Sequence, residues 1–288
     1  MRRRDFLAAG GALFLAGCTT RSATPALSTG SSPTPPPSTA PSPVASPTSS
    51  APPTEGTVAE ILARSNVPVL CFHQLREFRA DDSAYARTLI TPPDVFRNQL
   101  LAIRDGGWTP VSAPDLIDHL RFGTPLPERA LLLSFDDGSA THATVALPVL
   151  AELGFPAVFF PMTVVLDKPD WLSRDQLREL ERAGMTIGAH TWDHQRLDRI
   201  SGDQWPQQLD QPAADLAEIL GHPVDLMAYP YGVWSPETLA HVAAAGYRAA
   251  FQLADATDPD YPMLTIRRVM PPPTWDGPAL LGHLDADF

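Results

Sequence analysis

Ala130-Leu-Leu-Leu-Ser-Phe-Asp-Asp-Gly138 decides how this chain is read. An apolar run of strand length ends in two adjacent carboxylates and a glycine, the pattern of a buried strand that stops at a tight turn. Adjacent side chains at a strand end point in different directions, so Asp136 and Asp137 are not expected to share one task. Alone the triplet is weak, because most such triplets are simply turns. A second apolar run, Met185-Thr-Ile-Gly-Ala189, leads into His190-Thr-Trp-Asp-His194. A carboxylate beside paired imidazoles is the donor set of a hydrolytic metal site, and the combination points to a metal-dependent hydrolase.

Outward from these two runs, short apolar segments alternate with helical patterns. Strands are expected at 67–72, 130–135, 157–161, 185–189, 225–229, 247–252 and 265–269. Helices are expected at 93–104, 113–120, 140–152, 173–183, 207–220 and 235–245. Ser173 followed by Gln176 reads as a capping box closed by Gly184, and Ser235-Pro236 with Gly246 brackets another helix. Near-continuous apolar strands separated by helices imply a parallel sheet covered on its faces. About seven repeats favour closure, so the expected fold is α/β, a distorted (β/α)7-type barrel. The polar clusters nearly all follow strands, which puts them at the carboxyl-terminal rim, where barrels and open α/β sheets alike place their chemistry.

The amino-terminus reads differently. Arg2-Arg3-Arg4-Asp5-Phe6-Leu7 precedes a short apolar core and Leu15-Ala-Gly-Cys18, which resemble a twin-arginine signal and a bacterial lipoprotein box. Residues 1–17 are therefore expected to be a signal peptide and Cys18 the lipidated residue, with the mature protein held on the outer face of a bacterial cell membrane. Residues 18–56 continue as a linker rich in Pro, Ser, Thr and Ala, without the apolar periodicity that would offset ordering entropy. Fully extended at about 3.1 Å per residue, such a tether reaches on the order of 100 Å. Residues 57–288 are long enough for one catalytic domain. The net charge of −12 disfavours a nucleic-acid partner. Cys71, within the run Val67 to Phe72, is expected buried and unpaired, and the chain is expected to be monomeric.

Two further rim segments complete the pattern: Ala228-Tyr-Pro-Tyr-Gly232 and Phe72-His73-Gln74. Together the four resemble the polysaccharide deacetylase family, also called NodB-like or carbohydrate esterase family 4. Its Phe-Asp-Asp-Gly motif is read as Phe135 to Gly138, its His-Ser/Thr-x-x-His as His190, Thr191 and His194, and its Pro-Tyr-Gly as Pro230 to Gly232. The resemblance spans nearly everything from Val67 to Val269. The early Val67 to His73 segment is similar to the branch containing poly-N-acetylglucosamine deacetylases. Two departures stand out: Ser139 replaces the proline that often follows the triplet, and Ala228 stands where many members carry the arginine that orients the base.

The resemblance implies metal-assisted amide hydrolysis. Asp137, His190 and His194 would hold one divalent ion, zinc by preference, although cobalt, nickel or iron suit the same donors. Asp136 would be the general base, the Tyr231 N–H would stabilise the oxyanion, and His73 would protonate the leaving amine. His283, in a plausible terminal helix, is the rival acid. Trp192, Trp234 and Pro230 are expected to contact sugar, while His119, His142, His222 and His241 read as surface. The function implied is removal of N-acetyl groups from an N-acetylglucosamine-containing surface polysaccharide or peptidoglycan. The alternatives are an O-acetyl esterase on a polysaccharide and a non-catalytic glycan-binding lipoprotein.

Overall fold

A computed structural model describes residues 53–253 and 256–287. The leader, Cys18 and most of the Pro-rich stretch lie outside these residues. Ala51–Phe288 make one compact unit. Among the described residues no helix is long and apolar enough to cross a membrane.

Seven parallel strands run through this unit: β1 (Val69–Phe72), β2 (Thr109–Pro110), β3 (Ala130–Asp137), β4 (Val158–Pro161), β5 (Thr186–Ile187), β6 (Leu226–Ala228) and β7 (Ala249–Phe251). One sheet has the order β1-β3-β4-β5, with β2 paired to the start of β3; the other is β6-β7. Isolated bridges join them. Ala189 pairs with Met227, Phe251 with Ile266, and Val269 with Leu70. The 265–269 segment expected as a strand is thus two single bridges, and through it the ring returns to β1. Its backbone bonds include Ile266 N–H to the Ala250 carbonyl at 3.0 Å and Cys71 N–H to the Val269 carbonyl at 2.9 Å. The expected distorted barrel is what forms.

Alternation along the strands builds two layers. Leu131, Leu133, Phe135 and Phe159 join the cluster packed under the helices, whereas Leu132, Val158, Phe160, Ala228 and Phe251 join a separate, inner cluster. By this period Ser134 and Asp136 point inward with Leu132. The outer layer holds a run of stacked rings, with Phe135 4.6 Å from Phe159 and 5.6 Å from Phe72.

The helices follow their signals, with corrections where prolines intervene. Helices α3 (Pro93–Asp105), α4 (Ala113–Phe122), α6 (Arg174–Arg182) and α9 (Pro236–Ala244) match expectation to within a residue or two, and α6 has the Ser173–Gln176 capping box. The helix expected over 140–152 is instead a π-helical turn at His142–Ala146 followed by α5 (Leu147–Leu153). Pro148 has no N–H to return to the preceding turn, so the ladder loosens there. Likewise 207–220 divides into α7 (Gln204–Gln208) and α8 (Asp210–Leu220), because Pro212 cannot donate back to Gln208.

Two helices were not expected from the sequence, α1 (Val58–Arg64) and α2 (Ala84–Thr88), whereas the terminal helix expected around His283 forms as α10 (Gly277–Ala286) and packs on α3. The chain enters α1 through a clamp. Gly56 N–H donates to the Arg121 carbonyl at 2.6 Å, and Glu55 forms a two-point ion pair with the Arg121 side chain. Arg121 closes α4, which leads back to the start of β3; the clamp therefore sits at the amino-terminal pole of the barrel.

Candidate active site

Each motif residue stands where the chain leaves regular structure. Asp137, Thr191, His194 and Tyr231 all have left-handed backbone, with φ of 74°, 63°, 66° and 60°. For non-glycine residues this conformation is uncommon and costs on the order of 1–3 kcal/mol each, so surrounding structure must hold it. At Asp137 it breaks the strand alternation and swings the carboxylate onto the rim, while Asp136 stays inside. Gly138 follows at φ 86°, with a hypothetical Cβ only 2.8 Å from that of Pro161. The third position of the triplet accepts only glycine for both reasons.

His190 is fixed by its neighbours in the ring. Its N–H donates to the Pro161 carbonyl, and Nδ1 lies 2.8 Å from the Ala228 carbonyl. Donation from Nδ1 leaves Nε2 with a lone pair aimed outward. His194 is placed by a tight turn, its N–H bonded to the Thr191 hydroxyl, and the loop is braced by Gln208 and Gln195 on the two Asp193 oxygens. Asp137 Oδ1 then lies 3.4 Å from His190 Nε2 and 3.3 Å from His194 Nε2. Three donor atoms thus converge within 4.8 Å of one another. Asp137 Oδ1 and His190 Nε2 are both buried without a hydrogen-bond partner. Two orphaned acceptors facing each other repel unless a cation or proton lies between them, so the residues present fit a divalent ion. Burial would raise the Asp137 carboxyl; with protons on the two imidazoles, His190 and His194 instead hold it well below the usual range.

Asp136 has the partner that the sequence did not supply. Arg268 donates Nη1 and Nη2 to its two oxygens at 2.6 and 2.7 Å, and Arg268 is fully buried. The guanidinium also reaches the Gln252 carbonyl through Nε and the Ser134 hydroxyl. Burial alone would raise the Asp136 carboxyl; Arg268 overrides it and holds the pKa down to about 2. Arg268 stands beside Ile266 in the segment that closes the barrel. The one signal in the sequence was a basic residue inside the strand expected at 265–269.

The other expected site residues divide. His73 lines the same cavity, of about 300 Å³, as Asp136, Asp137, His190, His194 and Tyr231. Its Nδ1 is 4.0 Å from Cys71 Sγ, a buried free thiol as expected. Burial pushes the His73 imidazole down, against the upward pull of Asp137 and Asp136. Tyr231 is half-exposed, its ring 4.5 Å from that of His194. Trp192, Trp234 and Pro230 do not line this cavity. The Trp192 carbonyl and N–H are bonded to Val164 and Gln208, Trp234 packs on the core with its indole N–H on Gln252, and Pro230 is buried in the turn. The aromatic lining consists of Tyr231, the buried Tyr229 and Tyr85, the last from α2. His283 stacks on Trp275 and pairs with Asp287, outside the cavity lining. His142, expected at the surface, is fully buried, with Nε2 2.7 Å from the His73 carbonyl. It sits under the site as a support.

The family described as Polysaccharide deacetylase matches residues 123–250, a span that contains both the Asp136-Asp137 and the His190/His194 elements. The chain carries a polysaccharide deacetylase domain. YxkH of Bacillus subtilis (strain 168) is 24% identical over 231 residues, with 77% of each chain covered. A poly-beta-1,6-N-acetyl-D-glucosamine N-deacetylase of Escherichia coli K12 is 30% identical over 128 residues, 39% of this chain; the match spans 19% of that longer protein. Among solved structures, IcaB from Ammonifex degensii superposes with a TM-score of 0.64 at 26% identity, covering 76% of this chain and 97% of that one. The Streptococcus pyogenes deacetylase PplD has the same fold, with a TM-score of 0.69 at 22% identity over 81% of this chain and 99% of that one.

Two outcomes follow from this deacetylase geometry. Arg268→Met strands a buried carboxylate and is expected to cost about 3–5 kcal/mol in urea unfolding, with loss of turnover. Adding Asp136→Asn removes the stranded charge and restores part of the stability but none of the turnover; strictly additive losses would refute the coupling. Burial pushes His142 down to about 4 from its ordinary 6.5. The unfolded chain therefore binds the extra proton between pH 6.5 and 4, and stability falls as pH is lowered through that window. The contribution is about 3 kcal/mol. His142→Gln should flatten this part of the stability–pH curve, and an unchanged slope would contradict it.

Proposed function

We propose that this deacetylase domain removes N-acetyl groups from an N-acetylhexosamine-containing surface glycan, with a divalent ion held by Asp137, His190 and His194. The observation that carries the reading is the pair of orphaned acceptors, Asp137 Oδ1 and His190 Nε2, beside an ionised carboxylate locked to Arg268. Poly-N-acetylglucosamine and peptidoglycan deacetylases among the relatives support that substrate class. An ion bound there supplies Lewis acidity, polarising an acyl oxygen and acidifying a water. Zinc suits two imidazoles and a carboxylate, as cobalt, nickel and iron do.

The chain's own residues supply the remaining chemistry. Asp136 takes a proton from water as the water adds to the acetyl carbon. Arg268 holds that carboxylate ionised and fixes its plane, the service expected of the arginine missing at Ala228. The Tyr231 N–H, presented by a backbone turned to φ 60°, faces the developing oxyanion. His73 gives a proton to the sugar nitrogen as the C–N bond breaks, leaving acetate and a free amine. Its depressed pKa makes the protonated ring a stronger donor than ordinary imidazolium. The wall of Tyr85 and Tyr231 offers ring faces for stacking on sugar.

The leader, Cys18 and the linker are read as a lipoprotein anchor on the outer membrane face, supported by the sequence pattern alone. Cys18→Ala in the full chain is expected to release the protein from the membrane fraction, and continued anchoring would refute this. For the site, acetate release from chitooligosaccharides, poly-N-acetylglucosamine and peptidoglycan is to be measured with added metals. Asp137→Ala should lose metal binding by calorimetric titration. Asp136→Asn should keep the metal and lose turnover at least a hundredfold. Near-normal turnover in Asp136→Asn would remove the base assignment.

A further inference from the structure

Apart from the three converging metal donors, a second cluster of reactive side chains lies inside the ring. Cys71 Sγ, a His73 ring nitrogen and an Asp136 oxygen lie within 4.8 Å of one another. Strand geometry brings them together. Cys71 on β1 is paired with Ser134 on β3, and by alternation both face inward with Val69 and Leu132. His73, two residues on, turns Nδ1 to within 4.0 Å of the thiol, and its carbonyl is 2.7 Å from His142 Nε2. The cluster does not suit a second cation, because the Arg268 guanidinium already holds both Asp136 oxygens.

The order of donation within the cluster follows from which groups carry protons. Asp136 is ionised and can only accept. Burial pushes the Cys71 thiol well up, against the downward pull of Arg268, so the sulfur keeps its hydrogen. The thiol is in hydrogen-bond contact with Asp136 and is the donor there, which leaves the sulfur lone pairs for His73. An acceptor beside Nδ1 calls for a hydrogen on Nδ1, and Nε2 is then the nitrogen left for the cavity that His73 lines. We propose that Cys71 is a positioning residue for His73: it accepts from Nδ1–H, so that the proton exchanged with substrate is always the one on Nε2. The inference rests on the reading of His73 as the leaving-group acid. In the cleaving step Nε2–H passes its proton to the sugar nitrogen, the C–N electron pair goes to that nitrogen, and Nδ1 keeps its hydrogen. The neutral ring that remains has its lone pair on Nε2 and takes up the next proton there. Without the thiol, the ring is free to flip or to hold its remaining hydrogen on the wrong nitrogen.

The test exploits the leaving group. An amine must be protonated to depart, whereas the phenolate of para-nitrophenyl acetate needs no acid. Acetate release by the full chain with added zinc is measured on chitooligosaccharides and poly-N-acetylglucosamine, beside hydrolysis of the aryl ester. Cys71→Ala is expected to lower kcat on the glycan by about fivefold or more, with KM and ester hydrolysis each held within about twofold. Cys71→Ser keeps a donor and an acceptor in place and should retain about half or more of the glycan turnover. Val69→Ala, the neighbouring inward residue of β1, softens the same core and should affect both substrates alike. In NMR spectra of the full chain with nitrogen-labelled histidine, with and without zinc, neutral His73 is expected as the Nδ1–H tautomer, a preference that Cys71→Ala should abolish. Equal losses on glycan and ester in Cys71→Ala, or an Nε2–H tautomer in the native protein, overturn the positioning role. His73→Ala separates the two readings. A selective loss of glycan turnover there, with none in Cys71→Ala, removes Cys71 and leaves the acid assignment standing; no selective loss in His73→Ala removes both. No acetate released from either glycan by the native protein overturns the deacetylase reading and this role with it.

Discussion

The Arg268–Asp136 ion pair is the contact on which the rest of the molecule depends. Both side chains are buried inside a barrel whose other inner residues are largely apolar, and neither charge is tolerable there without the other. Satisfying it requires the last segment of the ring to come within reach of β3, and it requires Ser134 and Gln252 to turn polar atoms toward the guanidinium. Ring closure and orientation of the base are thus one requirement. A barrel left open at 265–269 would lose its final backbone bridges and leave a carboxylate charged and unpaired in its interior.

Around this rigid centre, the rim is made of backbone exceptions. Four residues of the site hold left-handed conformations that ordinary side chains avoid. Each points a functional group where strand geometry would not send it. Asp136 obeys the pleat and Asp137 violates it, which is how two neighbouring carboxylates come to face different surroundings: one a guanidinium, the other two imidazoles. The strain is affordable because neighbours tie these turns down, through the Thr191 hydroxyl, the Asp193 brace and the His190 contact with Ala228.

What was legible in the sequence was local. The aspartate pair sits beside its glycine, the two histidines sit four residues apart, and the apolar runs that carry each group announce strands. Arg268 was not legible, because its partner is 132 positions away. The same distance problem hid His142, whose burial depends on packing between Phe135 and Phe159. Trp192 and Trp234 drew attention as aromatics beside motifs, but flanking a motif in sequence does not set direction in space. Tyr85 faces the cavity from α2, a short helix that carries no motif. Pro148 and Pro212 were visible all along, and they divide helices that apolar periodicity had joined.

The clamp of Glu55 and Gly56 onto Arg121 has a consequence for access. It places the chain's entry into the domain at the pole where the strands begin, whereas Asp137 and the histidines crown the pole where they end. Entry and mouth are separated by the height of the barrel. Glu55 and Gly56 therefore take no part in the walls of the mouth, and whatever crosses it is met by the strand-end turns and α2.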